Sequence, residues 1–180
     1  NQMIESFSVR EANGEITNTH TYDIKYNDLG QQITFQTDIT KNNGPDEHIE
    51  RKDTQYDPKI GLVTFLHELS VIEGITTDTK TTNEYNKNGL ILRQFSEIRE
   101  KGSYVGEDGV RVQIDRKKTV ELFNVRYNSL FQQIGYEQIT IGPVPAGQSL
   151  NGSGVYTEHL IRDNIEYIGV GLDGGQVSSY

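Results

Sequence analysis

The sequence predicts an all-β fold of tandem antiparallel β-hairpin repeats that form an extended or spiralling sheet. Three observations carry this prediction: a recurring stretch, turn-forming residues at its start, and alternation of apolar and polar residues after it. The organising copy runs from Tyr26 to Phe35 and reads YNDLGQQITF. Further copies start at residues 56, 85, 127 and 171, so residues 1–180 are interpreted as a single repeat block.

Each copy begins with the residues of a tight turn. With the first Tyr as position 0, an Asn or Asp follows at position 1 in the copies that start at 26, 56, 85 and 127. Asn and Asp tolerate left-handed backbone, and Gly reaches positive φ at little steric cost. We assign a structural role to the residues that preserve the repeat, which are Tyr26, Gly30, Phe35, Tyr56, Phe65, Tyr85, Gly89, Tyr127, Tyr136, Gly175 and Tyr180.

The segments on both sides of the turn have the period of half-buried strands. After the first turn, Ile33, Phe35 and Ile39 share one parity, while Asp38 lies on the other. Before the turn, residues 22–26 alternate in the same way. A period of two residues is typical of a strand with one buried face. Each copy is therefore predicted to be strand, tight turn and strand.

Two alternatives concern the local structure and the overall closure. Residues 62–69 place apolar side chains at i, i+3, i+4 and i+7, which also suits an amphipathic helix, and residues 95–101 could form a short helix. Both segments align with copies that alternate clearly, so strands are favoured. A closed β-barrel or sandwich is the alternative to the extended sheet.

The same alignment interprets the ends of the chain and the longer spacings between copies. Residues 1–10 resemble the tail of a preceding copy, and the last copy stops within its second strand. Either the chain is a fragment of a longer array, or its first and last strands pair with each other. The later copies are further apart, and the additional residues are assigned to long inserted loops at about 100–110 and 141–154.

Composition excludes several classes of protein. The net charge is -9 without a basic patch, which disfavours binding to nucleic acid and to anionic membrane surfaces. There is no cysteine, so neither a disulfide framework nor a thiolate metal site can form. No apolar run is long enough for a membrane-spanning helix, so membrane insertion is not expected.

The sequence contains no recognisable catalytic or cofactor motif. His20, His48, His67 and His159 do not have the spacing of metal ligands, and nucleophile-elbow and phosphate-loop patterns are missing. We therefore predict that the protein is not an enzyme and holds no cofactor.

One repeated acidic position leaves a minor alternative open. Asp38, Glu68 and Glu97 occupy the same position in three copies. If copies stacked in register, these like charges would repel unless cations such as Ca²⁺ lay between them or the register were staggered. A hydrolase carried on a β-helix would need such carboxylates to converge in one cleft.

At residues 22–31 and 173–180 the chain resembles the YD-repeat proteins, including the Rhs group, whose unit is Tyr-x-Tyr-Asp-x-x-Gly-Arg/Gln-Leu/Val-Thr. It is most similar to the Tyr-Asn-Ser-Leu-Gly-Gln variant of very large bacterial surface proteins. The chain departs from the pattern, because only Tyr56-Asp57 keeps the Tyr-Asp pair at positions 0 and 1, and Gln replaces the commoner Arg. The resemblance implies a secreted or surface-displayed antiparallel β structure used for encapsulation, adhesion or contact between cells.

The predicted function follows from the repeat and from this resemblance. We expect a structural or adhesive β-repeat segment of a larger secreted or cell-surface protein, without catalytic activity of its own. Its partners would be neighbouring repeats of the same or a larger chain, with self-association through the end strands. The alternative is a module of barrel or sandwich form that binds carbohydrate or another small ligand in a groove lined by Tyr side chains.

Overall fold

The computed structural model describes residues 4–106, 108–143, 155–165, 167–168 and 176–177. Within these residues the protein is all-β and contains no helix, which confirms the predicted fold class. The strands of the main sheet are β1 Ser6–Ala12, β2 Glu15–Tyr26, β3 Gln32–Lys41, β4 Glu47–Tyr56, β5 Val63–Ile72, β6 Ile75–Tyr85, β7 Ile91–Val105, β8 Arg111–Tyr127, β9 Gln133–Pro143 and β10 Val155–Asp163.

The ten strands form one open antiparallel sheet in which each strand lies beside its neighbours in sequence. In the part of the chain that the structure describes, β1 and β10 are at opposite ends of the strand order and do not pair with each other. The alternative of a closed barrel is therefore wrong. Two short strands, β11 Tyr167–Ile168 and β12 Gln176–Val177, pair antiparallel on either side of the turn predicted for the fifth copy.

Both segments that allowed a helical alternative are strands. Residues 63–72 form β5, and residues 91–105 form β7. Pairing with neighbouring strands decides this, because an i, i+3, i+4 pattern over eight residues cannot distinguish a helix from a strand with two half-buried faces.

The long loop predicted at about 100–110 is wrong for its larger part. β7 continues to Val105 and β8 starts at Arg111, which leaves a short turn. Gly102 suggests a loop in the sequence but lies inside β7. Glycine is required there because the backbone of the β5–β6 turn approaches this residue closely. A Cβ at this position would lie 2.3 Å from the carbonyl oxygen of Gly74. Of the second predicted loop, residues 141–143 belong to β9, and residues 144–154 lie outside the described residues.

The chain divides into two compact units, one of residues 1–81 with 97–117 and the other of residues 82–96 with 118–180. Among the described residues, Ile24 and Ile114 are the buried apolar side chains of the first unit, and Ile165 is buried in the second. None of the described side chains has less than 2 % of its surface exposed. Cross-strand pairs and hydrogen bonds therefore stabilise each unit to a larger extent than a dry core does.

Two equivalent β-bulges interrupt the strands that enter the first and fourth copies. In β2, Asp23 and Ile24 together oppose a single residue of β3, and in β8 the residues after Phe123 do the same against β9. Asp23 has φ 53° and Asn124 has φ 51°, so both lie in the left-handed region. Both bulges occur three residues before the first Tyr of their copy. The repeat is thus preserved in the backbone as well as in the sequence.

Candidate functional site

The hairpin turn of the first copy is built around the side chain of Asn27. Its Oδ1 accepts hydrogen bonds from the backbone N–H groups of Leu29 (3.0 Å) and Gln31 (2.9 Å). Its Nδ2 donates to Oε1 of Gln31 at 2.8 Å. Gly30, with φ 76°, donates its N–H to the carbonyl oxygen of Asn27. The residue at position 1 therefore satisfies the backbone donors that a tight turn leaves unpaired.

The third and fourth copies repeat this turn. In the fourth copy, Asn128 accepts from the N–H groups of Leu130 (2.9 Å) and Gln132 (3.0 Å). In the third copy, Asn86 accepts from those of Asn88 (2.9 Å) and Leu90 (3.1 Å).

The second copy uses an aspartate in a turn that is one residue longer. Asp57 accepts from the N–H groups of Lys59 (2.7 Å) and Ile60 (3.1 Å), and these bonds hold the pKa of Asp57 below its ordinary value. Its own N–H donates to the carbonyl of Leu62, one residue later than in the first, third and fourth copies.

A further turn of the same backbone pattern joins β7 and β8. Gly106 donates its N–H to the carbonyl of Val110, and Gly109 donates to the carbonyl of Gly106. The sequence alignment missed this turn because Gly106 stands where the other copies have Asn or Asp, and Val105 stands in place of the Tyr.

The Tyr at position 0 connects consecutive copies. Tyr56 donates from its hydroxyl to the carbonyl oxygen of Gln32 at 2.6 Å. Tyr127 makes the equivalent bond to the carbonyl of Ile91 at 2.9 Å. Both acceptors occupy position 6 of the preceding copy. We call these two bonds the tyrosine clasps; they explain why the aromatic residue recurs although it is only half-buried.

The structure places most of the predicted repeat residues in comparable environments. Tyr26, Tyr56, Tyr85 and Tyr127 are the last residues of β2, β4, β6 and β8. The aromatic residues at position 9, Phe35, Phe65 and Tyr136, are half-buried in β3, β5 and β9. Gly30 and Gly89 have positive φ in their turns. Gly175 and Tyr180 lie outside the described residues.

Two sets of residues that shape the turns and bulges are missing from the predicted repeat residues. The first set is position 1, which the sequence marks with Asn or Asp in the copies that start at 26, 56, 85 and 127: Asn27, Asp57, Asn86 and Asn128. The second is the pair of bulge residues, Asp23 and Asn124. Their only signal is the preference of Asn and Asp for left-handed backbone, which is weak inside an alternating strand.

The fourth copy departs from the turn rule at position 4. Phe131 occupies the site of Gly30 and Gly89 and has φ 63°, although its side chain is 59 % exposed. A side chain in this region of backbone conformation costs about 1–2 kcal/mol.

We therefore expect Phe131→Gly to raise the free energy of unfolding by about 1 kcal/mol, because it relieves this strain while little burial is lost. Urea unfolding measures the change. Leu130→Gly, at the neighbouring turn position, which is 74 % exposed and has no positive φ, is the control and should destabilise or leave stability unchanged. A lower midpoint for Phe131→Gly would contradict the presence of strain at this residue.

The acidic position of the repeat does not form a ladder of like charges. Each copy contributes two strands, so the equivalent acids lie on every second strand, and a basic residue of the strand beside each acid pairs with it. The pairs are His48 Nδ1 to Asp38 at 2.6 Å, Arg51 to Glu68 at 2.9 Å, and Lys117 to Glu97 at 2.9 Å. The condition for like-charge repulsion, copies stacked directly in register, is therefore not met in this strand order.

All four histidines contact a carboxylate. The pairs are His20–Glu5 (2.7 Å), His48–Asp38 (2.6 Å), His67–Asp78 (3.0 Å) and His159–Glu137 (2.9 Å). The hydrogen bond with His48 holds the pKa of Asp38 below its ordinary value, and Asn124 together with His159 does the same for the pKa of Glu137. Among the described residues no three such side chains form a group that could hold a metal ion.

These carboxylates predict loss of stability in acid. The pKa values of Asp38, Asp57, Glu97, Asp115 and Glu137 are all lowered in the folded chain by hydrogen bonds to their partners. The unfolded chain then binds more protons, so this contribution is present above a pH of about 4 and is lost as pH falls through the lower, folded pKa values. Urea midpoints should drop between about pH 5 and pH 3, and Asp38→Asn should reduce the slope. Constant midpoints would contradict this prediction.

Surface depressions lie beside both bulges. The first, of about 340 Å³, is lined by Asp23, Lys25, Phe35 and Gln36 with residues 50–52 of β4. Asp23 accepts a hydrogen bond from Gln36 at 3.2 Å, and the guanidinium of Arg51 lies 4.6 Å from the centre of the Phe35 ring.

The second depression, of about 730 Å³, lies in the other unit beside Asn124, Arg126 and Glu137. Asn124 donates to Glu137 at 2.9 Å. The same repeat positions, –3, –1 and 10, therefore line each depression. The side chains at –3 and 10 are hydrogen-bonded to each other across the strands, and the residue at –1 is a cation.

No family model matches the chain, and neither a curated protein nor a solved structure is detectably similar to it. Among the described residues there is also no helix long and apolar enough to cross a membrane.

Proposed function

We propose that the chain is a structural or adhesive segment of a larger secreted or cell-surface protein and that it has no catalytic activity of its own. The tyrosine clasps support this proposal most directly, because the same side chain joins one copy to the next in both units. An open sheet in which each described strand pairs with its sequence neighbours behaves as a one-dimensional array, which suits spanning and enclosing. The resemblance to YD-repeat proteins agrees with this role.

Contact between chains would use the free edge of β1. Val9, within β1, is 72 % exposed, and Ile4, two residues before the strand, is 74 % exposed. Nothing among the described residues pairs with the outer side of β1. An exposed apolar edge strand offers unpaired backbone groups to a further strand. We propose that copies of the chain, or neighbouring repeats, associate there by strand addition.

Sedimentation velocity across a concentration series tests this mode of contact. The wild type should associate with increasing concentration, and Ile4→Lys/Val9→Lys should remain monomeric, because lysine in an edge strand and just before it opposes pairing. Leu29→Lys/Leu130→Lys is the matched control, since both leucines are equally exposed but lie in turns. Association that is unchanged in Ile4→Lys/Val9→Lys, or lost equally in Leu29→Lys/Leu130→Lys, would argue against edge pairing.

A second candidate is binding of carbohydrate or another small ligand in the bulge depressions. It is favoured by the conformation of Asp23 and Asn124, because glycine would be the least strained residue at either site and both retain a polar side chain that lines a depression. Asp23→Gly/Asn124→Gly removes these groups while the backbone conformation is kept.

Binding to immobilised neutral oligosaccharides should be lost in this double variant and retained in Asn13→Gly. Asn13 also has positive φ, but it lies in the β1–β2 turn and lines neither of the two bulge depressions. Absence of binding by the wild type, or full binding by the double variant, would reject this candidate.

A further inference from the structure

Three Asn-Gly dipeptides lie in described turns, at Asn13-Gly14, Asn43-Gly44 and Asn88-Gly89. In such a dipeptide the backbone nitrogen of Gly can attack the Asn side chain, because no side chain on Gly hinders the approach. Asparagine is for this reason one of the chemically labile residues of proteins. The three turns hold the dipeptide in different ways.

The dipeptides at 13 and 88 are restrained by their turns. Asn13 (φ 55°) and Gly14 (φ 78°) form a two-residue hairpin turn with both residues in the left-handed region, closed by the pairing of Ala12 with Glu15. At the third copy, Gly89 donates its N–H to the carbonyl of Asn86 at 3.0 Å. The attacking nitrogen is therefore engaged at 89, and the backbone is fixed in an unsuitable conformation at 13.

Asn43 has neither restraint. It lies in the exposed β3–β4 connection, outside the left-handed region. Within the described part of the chain, the N–H of Gly44 has no hydrogen-bond acceptor. We propose that Asn43 is a site of spontaneous conversion to aspartate and isoaspartate, a modification that goes beyond the proposed function and does not depend on it.

The reaction needs only water and base. The deprotonated backbone nitrogen of Gly44 forms a bond to Cγ of Asn43, and the side-chain amide leaves as ammonia. Water then opens either carbonyl of the five-membered succinimide. One product is aspartate, and the other is isoaspartate, in which the main chain continues through the side chain and is one methylene longer.

The neighbouring residue shows what the change would affect. Asn42 fastens the β3–β4 connection to the β1–β2 hairpin: its Oδ1 accepts from the N–H of Ile16 at 2.9 Å, its N–H donates to the carbonyl of Ile16, and its Nδ2 donates to the carbonyl of Gly14. A longer backbone at 43 displaces these groups. The new carboxylate also adds to the negative charge of Asp46 and Glu47. Modification should therefore loosen the hairpin that ends in the β1 edge.

Peptide mapping of the full chain after incubation at mildly alkaline pH tests the site. Conversion at Asn43 should be at least about tenfold faster than at Asn13 or Asn88, a difference that corresponds to a barrier lower by about 1.4 kcal/mol. In urea the three sites should convert at similar rates, because the fold sets their ranking. Conversion that is first at 13 or 88, or no conversion at 43 while the unfolded chain reacts, would overturn the proposal.

Two variants and one further readout sharpen the test. Gly44→Ala should slow conversion at 43 alone, and its Cβ would meet only the flexible side chain of Lys41, at 3.3 Å. Asn43→Gln should abolish the early product. Hydrogen exchange of the Ile16 amide should be faster in the modified fraction, and unchanged exchange would contradict the proposed loosening.

Discussion

Replacement of Gly102 with Ala is expected to lower the free energy of unfolding by about 3 kcal/mol, more than any other single substitution proposed for this chain. The added Cβ would lie 2.3 Å from the carbonyl oxygen of Gly74 and 2.8 Å from Cα of Ile75. Both neighbours are backbone atoms, so neither can move without displacing the β5–β6 turn. Gly102 also has φ 152°, a conformation that residues with a side chain rarely adopt.

Urea unfolding of Gly102→Ala beside Gly109→Ala separates the clash from the backbone strain. Gly109 has φ 78°, and a Cβ added there would have no atom within 4 Å, so Ala at this position should cost only about 1 kcal/mol. Equal effects of the two substitutions would mean that the close approach to Gly74 contributes nothing.

The second large effect is expected at the turn residue Asn27. Asn27→Ala removes the acceptor of two backbone N–H groups and the donor to Gln31. At about 0.5–1.5 kcal/mol for each hydrogen bond, with water replacing part of the loss, stability should fall by about 2 kcal/mol. Asn27→Asp should cost less than half as much, because Asp57 makes the two backbone bonds in the second copy.

Thermal unfolding of these variants checks the assignment, with Asn88→Ala as the control. Asn88 is exposed in the turn of the third copy, and only its backbone takes part in the bonds of that turn. A loss of stability for Asn88→Ala as large as for Asn27→Ala would show that the turn does not depend on the side chain at position 1.

The strands and turns were predictable because the signals for them are local. Alternation around Phe35 and the spacing from Asn27 to Gly30 are properties of a few neighbouring residues. The structure has a strand at the first and a hydrogen-bonded turn at the second. The β7–β8 turn was missed for the same reason. Gly106 forms the turn without the side chain that marked the other copies.

What could not be predicted depends on which strands are neighbours. The acceptor of the Tyr56 clasp is a backbone carbonyl 24 residues earlier in the chain. Every residue has a backbone carbonyl, so no residue type in the sequence marks this acceptor. The shared repeat position of the acids at 38 and 68 is compatible with a ladder of like charges, but the strand order places β4 between them. Glycine is typical of loops, so the sequence places Gly102 in one. Glycine is needed at this position because of a contact with the β5–β6 turn, which the sequence does not show.

Removal of one whole copy tests most directly whether the chain is an array of clasped, equivalent units. Deletion of residues 27–56 joins Tyr26 to Asp57, so that β2 takes the place of β4 and every later turn keeps its position in the repeat. We expect a shorter chain that still unfolds cooperatively in urea, because each copy contacts only its neighbours.

Deletion of residues 27–41 is the out-of-phase control. It removes half a copy and joins one entering strand to the next, so the turn and clasp residues fall at the wrong ends of the strands, and cooperative unfolding should be lost. The whole-copy deletion should keep the circular dichroism of a β-sheet and one sharp transition. If it loses cooperative unfolding as the half-copy deletion does, the copies are not equivalent units and the chain is not a clasped array.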